Sequence, residues 1–369
     1  MKSTSFKNKH SNHGSRRCRR HLHLVTATGL LAAFILWPLS ALVAQERVLR
    51  FHHMLPEKSP QHQVIFLPWA SKIAQASNGR LRVNVTAAMQ LGGKPAELIT
   101  QVEGHQVDIV WTLPGYTPGK FPRLEVFELP WIASSRASAT SQALYEYYET
   151  YAREDLANVH VLAVWCHPSG VILNRDEPLL RPGDAAGRVL RVPSVVIGEA
   201  LRSFGAEPKL VPAPQVLKEL QEGAIAGALF PYEVIPTLKL SKEIRHITEF
   251  AGHRGFYTAV FLLAMSRKAY GSLDEDLRKV LDAHSGAALS AELGRMWDEI
   301  EEVGREDFAA GGGVVTFVKN DDYDAWVEAS QTVNEAWKAK VGRAGIDGGK
   351  LIAAAKELVA KYTERARYN

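Results

Sequence analysis

The hydrophobic pattern of residues 47–111 alternates between strand and helix signals, and this alternation constrains the fold more than any single motif. Arg47-Val-Leu-Arg-Phe-His-His-Met54 reads as a first strand. A turn at Pro56-Glu-Lys-Ser59 leads into a helix from about 60 to 76, closed by Asn78-Gly79. Leu81-Arg-Val-Asn-Val-Thr86 alternates apolar and polar side chains, a strand with one buried face. Gly92-Gly-Lys-Pro95 opens a second helix through Val102, and Val107-Asp-Ile-Val-Trp111 is a buried strand. The resulting βαβαβ order favours an α/β sheet with helical crossovers.

The same alternation continues. A helix is expected over 138–157, with strands at 159–165 and 170–174. Val189-Leu-Arg-Val192 opens a second α/β series of helix 196–204, strand 208–212, helix 214–222 and strand 224–230. Residues 256–265 read as a long apolar strand. Leu273 to Ala309 has helical periodicity without proline, with Gly286, Gly294 and Gly304 as possible breaks. A strand at 314–318 and helices at 321–342 and 348–366 finish the chain. The fold expected is α/β, with two lobes, mixed sheets, more than one crossing between them and a ligand cleft in the groove. If 273–309 is continuous, it is a long helix spanning both lobes.

The amino-terminal region belongs to another class of segment. Residues 1–24 carry Lys2, Lys7, Lys9, Arg16, Arg17, Arg19 and Arg20 and no acid, and 24–44 is apolar or small and uncharged. This reads as a secretory signal cut after Ala44, which would make the protein periplasmic; a retained membrane anchor is the competing reading, since an apolar run of about 20 residues can span a bilayer. Removing it takes seven of the 44 Lys and Arg residues and none of the 40 acids, leaving a formal charge of −3. No basic stripe for nucleic acid remains. Cys18 leaves as well, so Cys166 stands alone and no intrachain disulfide forms.

Arg191 is the first candidate for function. It lies near the end of a short β-branched run that Pro193 stops, where a sheet presents side chains to a cleft. A guanidinium carries five donors in a rigid fork, which suits a carboxylate; an ordinary surface ion pair is the competing reading. Trp111 ends a strand and is either pocket wall or core, and Phe230 sits at a strand end before Pro231. Of the adjacent His52 and His53 only one can face the cleft, so a metal site is not expected. His53 or Met54 is expected to line the pocket. Cys166 and His167 point to opposite faces of a strand and cannot act as a nucleophilic pair; they read as a small hydrophobe and a near-surface histidine. Gly311-Gly-Gly313 is a helix stop rather than a phosphate loop.

Four stretches in order carry a family resemblance: Gln90-Leu-Gly-Gly93 with Glu97; Gly115-Tyr-Thr-Pro-Gly-Lys-Phe-Pro122 through Glu125-Val-Phe-Glu-Leu-Pro-Trp131; Gly187-Arg-Val-Leu-Arg-Val-Pro193; and Leu220-Gln-Glu-Gly-Ala-Ile-Ala-Gly227. The chain resembles the extracytoplasmic solute-binding proteins of tripartite ATP-independent periplasmic (TRAP) transporters, over nearly all of its mature length. The resemblance implies a two-lobed Venus-flytrap fold that closes on an organic acid and docks on the membrane permease subunits. It implies that Arg191 pairs with the ligand carboxylate and that the protein is a monomer without cofactor, metal or enzymatic activity. The lobes are expected at 45–167 plus 257–300 and at 168–256 plus 301–369.

The sequence also departs from the family's sialic-acid-type members, which have Asn where Phe230 stands, an acid where Ala226 stands and often a second arginine near Ser169. Losing those polar groups disfavours a polyhydroxylated or dicarboxylate ligand, because buried polar groups need partners. A monocarboxylate with an apolar or aromatic body is expected, bound by Arg191, Phe230, Trp111, Pro193, His53, Phe121, Ser169 and Tyr232. Two other readings compete with this one. One is an ABC-type binding protein holding a cation among aromatic residues, which Arg191 opposes. The other is a secreted hydrolase, for which neither a Gly-x-Ser-x-Gly elbow nor a His-Glu-x-x-His pair is present.

Overall fold

The computed structural model describes residues 46–252 and 254–368; the expected signal, 1–44, lies outside them. The strands in chain order are β1 (Arg47–His52), β2 (Leu81–Thr86), β3 (Ile109–Thr112), β4 (Val159–Cys166), β5 (Val171–Asn174), β6 (Val189–Val192), β7 (Glu207–Leu210), β8 (Gly227–Phe230), β9 (His246–Phe250), β10 (Val260–Ser266) and β11 (Val314–Val318). They form two sheets, ordered β2-β1-β3-β10-β4 and β11-β9-β5-β8-β6-β7. Both are mixed. In the first, β1 runs parallel to β2 and β3, while β10 is antiparallel to β3 and β4. In the second, β6 is parallel to β7 and β8, and β5 is antiparallel to β8 and β9.

Composition explains the central positions. β10, Val-Phe-Leu-Leu-Ala-Met-Ser, is buried along its whole length, as a strand covered on both faces must be. The helix Leu67–Ala76 packs beside β2, and the helix Val195–Ser203 covers β7 in the second sheet. That second helix starts cleanly because Ser194 caps it, its hydroxyl accepting the Ile197 N–H.

The chain passes between the sheets at two irregular segments, from β4 to β5 and from β9 back to β10. These segments are tied to each other: Gly170 N–H donates to the Tyr257 carbonyl at 2.9 Å. Gly170 has no room for a side chain, since a Cβ there would meet the Tyr257 ring at 2.2 Å. This close approach fixes the Tyr257 ring at the mouth of the crossing.

A third connection is the helix Gly286–Ala310, whose 25 residues span about 37 Å. It packs on the helix Ala137–Tyr147 and on β4 of the first sheet. Its far end lies against the chain that follows β8, where Glu301 accepts the N–H groups of Tyr232 (2.9 Å) and Glu233 (3.1 Å). The stretch 273–309 is not one continuous helix; it breaks at Gly286, one of the three glycines read as possible breaks. Residues Glu275–Ala283 make a separate helix, and the long helix restarts at Gly286, whose φ is +73°. The left-handed backbone there is the reason for the break. Near the carboxyl terminus the helix Gly348–Tyr368 lies on Ala137–Tyr147, where Lys361 pairs with Glu146 at 2.7 Å.

Candidate functional site

Arg191 and the aromatic side chains of both sheets meet in one pocket. Arg191 belongs to β6, in register with Ala228 of β8 and Lys209 of β7. Its strand neighbours Leu190 and Val192 point the other way, into the core, by the alternation of a strand. The arginine is 1 % exposed. Its Nε donates to the Val211 carbonyl at 2.8 Å and its Nη1 to the Leu229 carbonyl at 2.7 Å. Among the described residues no carboxylate forms an ion pair with it. Burial depresses its pKa, and the nearest groups that oppose this are the Tyr116 and Tyr257 phenols rather than an acid.

A buried, unpaired guanidinium is expensive unless an anion joins it. Two of its five N–H groups are spent on carbonyls, and the rest form a fork for a carboxylate. Other donors converge on the same space. The Tyr116 hydroxyl accepts the Ala213 N–H at 2.9 Å, bridging the two sheets, and keeps its own proton to give. The Tyr257 hydroxyl and the Trp111 indole N–H are buried and have no hydrogen-bond partner among the described residues. The remaining wall is apolar: Leu113, Phe230, Val234 and Phe261.

His167 is also in this wall, and the expected near-surface histidine is instead only 3 % exposed. The chain turns at Pro168 to change sheets, and that turn folds the ring inward. Its Nδ1 sits 2.6 Å from the Pro168 carbonyl and its Nε2 accepts the Ala259 N–H at 2.9 Å. Both bonds fit the neutral ring, and burial holds its pKa near 3. One acid, Glu233, completes the lining.

The residues expected at the site divide into two groups. Arg191, Phe230, Trp111 and Pro193 line the pocket together. His53 stands behind it, its ring 6.1 Å from Trp111 and its Nε2 2.9 Å from His62 Nδ1; its neighbour Met54 reaches the wall instead. Phe121 faces a separate pocket of about 320 Å³ whose lining carries Glu125 and Glu128 but no cation. Ser169 serves the crossing segments, its hydroxyl accepting the Phe256 N–H at 3.2 Å. Tyr232 turns away after Pro231 and donates to Glu249 at 2.8 Å, beside Arg305.

Neighbouring reactive groups have structural partners. Cys166 is fully buried and burial pushes its thiol up to about 12, well away from a nucleophile. Among the described residues no three His, Cys, Asp or Glu side chains gather as metal ligands.

Known proteins share this fold. The family model for the bacterial extracellular solute-binding proteins of family 7 (DctP) matches residues 51–340. The chain is 38% identical to a TRAP solute-binding protein from a marine metagenome, specific for aromatic acid ligands and solved with metahydroxyphenylacetate and with 3-hydroxybenzoate; the match covers 86% of this chain and 99% of that one, with a TM-score of 0.85. It is 35% identical to a TRAP solute-binding protein from Rhodoferax ferrireducens solved with copurified benzoate, over 87% of this chain and 99% of that one, with a TM-score of 0.84. A TRAP periplasmic solute-binding protein from Bordetella bronchiseptica with bound (R)- and (S)-mandelate is 26% identical over 85% and 99% of the two chains, with a TM-score of 0.78.

Proposed function

The chain belongs to the bacterial extracellular solute-binding proteins of family 7, and on that premise we propose that its pocket captures an aromatic monocarboxylate for a TRAP membrane permease. The observation that carries this reading is Arg191, buried without an acid partner in a wall of aromatic side chains. The ligand carboxylate takes the guanidinium fork, supported by the Tyr116 and Tyr257 hydroxyls. The ring lies among Trp111, Phe230 and Phe261, where each aromatic contact contributes about 0.5–1.5 kcal/mol beyond area burial. The three solved relatives hold benzoate, hydroxylated aromatic acids or mandelate, all ligands of this kind.

Closing is a hinge motion at the crossings near 167 and 257. A ligand biases it by contacts that only the closed form makes. The Tyr116–Ala213 bond is one protein contact of the closed form. The protein acts by binding rather than by catalysis, as a periplasmic monomer. A thermal-shift screen of residues 45–369 tests the reading. Benzoate-like acids are expected to raise the melting temperature. Stabilisation by sugar acids, dicarboxylates or amines, with none from aromatic monocarboxylates, would refute it.

A further inference from the structure

Glu233 is the one group of the pocket that carboxylate capture leaves without a role. It follows β8 by three residues and is 4 % exposed. Its backbone N–H is held by Glu301 at 3.1 Å. Its side chain accepts one hydrogen bond among the described residues, from Gln61 Nε2 to Oε2 at 2.7 Å. The Trp297 indole N–H lies near the carboxyl but outside hydrogen-bonding geometry. A carboxylate has about four acceptor sites, so most of this one's capacity is unused in a buried place.

Glu233 is not the counter-ion of Arg191. The two share a pocket but make no ion pair, and neither shifts the ionisation of the other, as charges in contact would. The pocket is therefore polar in two separate places. One is rich in donors: Arg191, Tyr116 and Tyr257. The other offers an acceptor. A monocarboxylate satisfies only the first. A second carboxylate on the ligand would meet like charge at Glu233 whenever that acid is ionised.

Resting on the carboxylate reading above, we propose that Glu233 accepts a hydrogen bond from a hydroxyl on the ligand ring, so that the pocket selects hydroxylated aromatic acids over the bare ring. A hydroxyl on the ring donates to the free oxygen while Arg191 holds the carboxylate. Gln61 fixes the acid from the opposite sheet, so that the same acceptor is complete only when the lobes are shut.

Calorimetric titration with benzoate, 3- and 4-hydroxybenzoate and the two methoxybenzoates tests this. One hydroxybenzoate is expected to bind about tenfold or more tighter than benzoate and than its own methoxy analogue, which cannot donate. Glu233→Leu is expected to erase that advantage, so that each hydroxybenzoate binds the variant no tighter than its methoxy analogue does. Benzoate binding with no gain from either hydroxyl would overturn the role of Glu233 and leave the carboxylate reading intact. A gain that survives Glu233→Leu would assign the hydroxyl to another residue. Failure of every aromatic carboxylate to bind would overturn the underlying reading as well. If Glu233→Leu does not fold, Glu233→Met, closer in shape and equally without an acceptor, is read in the same way.

Discussion

The guanidinium carbon of Arg191 lies 3.8 Å from the centroid of the Phe230 ring. The two residues sit on adjacent strands, β6 and β8, and Phe230 follows Leu229, whose carbonyl takes an Arg191 proton at 2.7 Å. One short segment thus holds the arginine twice, by a hydrogen bond and by a ring face. A desolvated cation over a ring gains about 2 kcal/mol, and the fork it presents is pre-oriented.

Replacing Phe230 by Leu separates the ring's contribution from simple bulk. The apolar volume stays, while the face under Arg191 and against the ligand is lost. Benzoate affinity is expected to fall about 5- to 30-fold, with little change in melting temperature. Isothermal titration beside a thermal melt measures both. Unchanged affinity would mean that the ring only fills space.

Tyr257 carries a buried hydroxyl with no hydrogen-bond partner among the described residues. Tyr257→Phe removes this group, and the unliganded protein is expected to gain about 1 kcal/mol of stability. Its affinity for aromatic acids is expected to fall, because the hydroxyl donates to the carboxylate. Denaturant unfolding together with ligand titration would show the two effects with opposite sign. A variant that binds equally well would remove Tyr257 from the site.

The sequence made some of this legible and hid the rest for identifiable reasons. Arg191 is conspicuous because a charge inside a β-branched run has few explanations. The strand at 81–86 is read directly from alternation, and that at 189–192 from a short β-branched run. β9, Arg245-His-Ile-Thr-Glu-Phe250 with its first residue outside the strand, is missed because its polar side chains mask an interior position between β5 and β11. Tyr257 and His167 reach the pocket from the two crossing segments. Their position depends on how the sheets are connected, which no local pattern encodes. Tyr232 was expected beside Phe230, but Pro231 redirects the chain and a salt bridge between Arg305 and Glu249 captures its hydroxyl.

Gly304 lies where the long helix meets the loop after β8. A Cβ there would come within 2.6 Å of the Tyr232 carbonyl group and 2.7 Å of Glu233 N. The obstacle is backbone, which cannot rotate away. Gly304→Ala is expected to cost about 1–3 kcal/mol despite alanine's better helix propensity. It is also expected to weaken ligand binding, since the shifted loop carries Phe230 and Glu233. A melting temperature equal to or above wild type would contradict this packing.

Burial pushes the carboxyls of Glu128 and Glu233 up to about 7 and that of Glu301 up to about 8. Each is raised above its ordinary 4.5, so the folded chain holds protons that the unfolded chain has released. The associated stability is full below about pH 4.5 and is lost as pH rises through about 7 to 8. His53 and His167, held near 3 by burial, act in the opposite sense, but only below their ordinary 6.5. Stability is therefore expected to fall between about pH 6.5 and pH 8.5. Glu128→Gln, neutral at every pH, is expected to flatten that slope. Melting temperatures that rise with pH over this interval would contradict the burial of these acids.

The central claim, that Arg191 grips the carboxylate of an aromatic acid, is tested most directly by titrating benzoate into wild type and Arg191→Lys. Lysine keeps the charge and loses the fork, so both the Val211 carbonyl and the ligand lose a matched donor. The account predicts one benzoate per wild-type chain with a Kd on the order of micromolar or tighter, and an affinity about 10- to 100-fold lower in the folded variant. Equal affinity in the two proteins would contradict it.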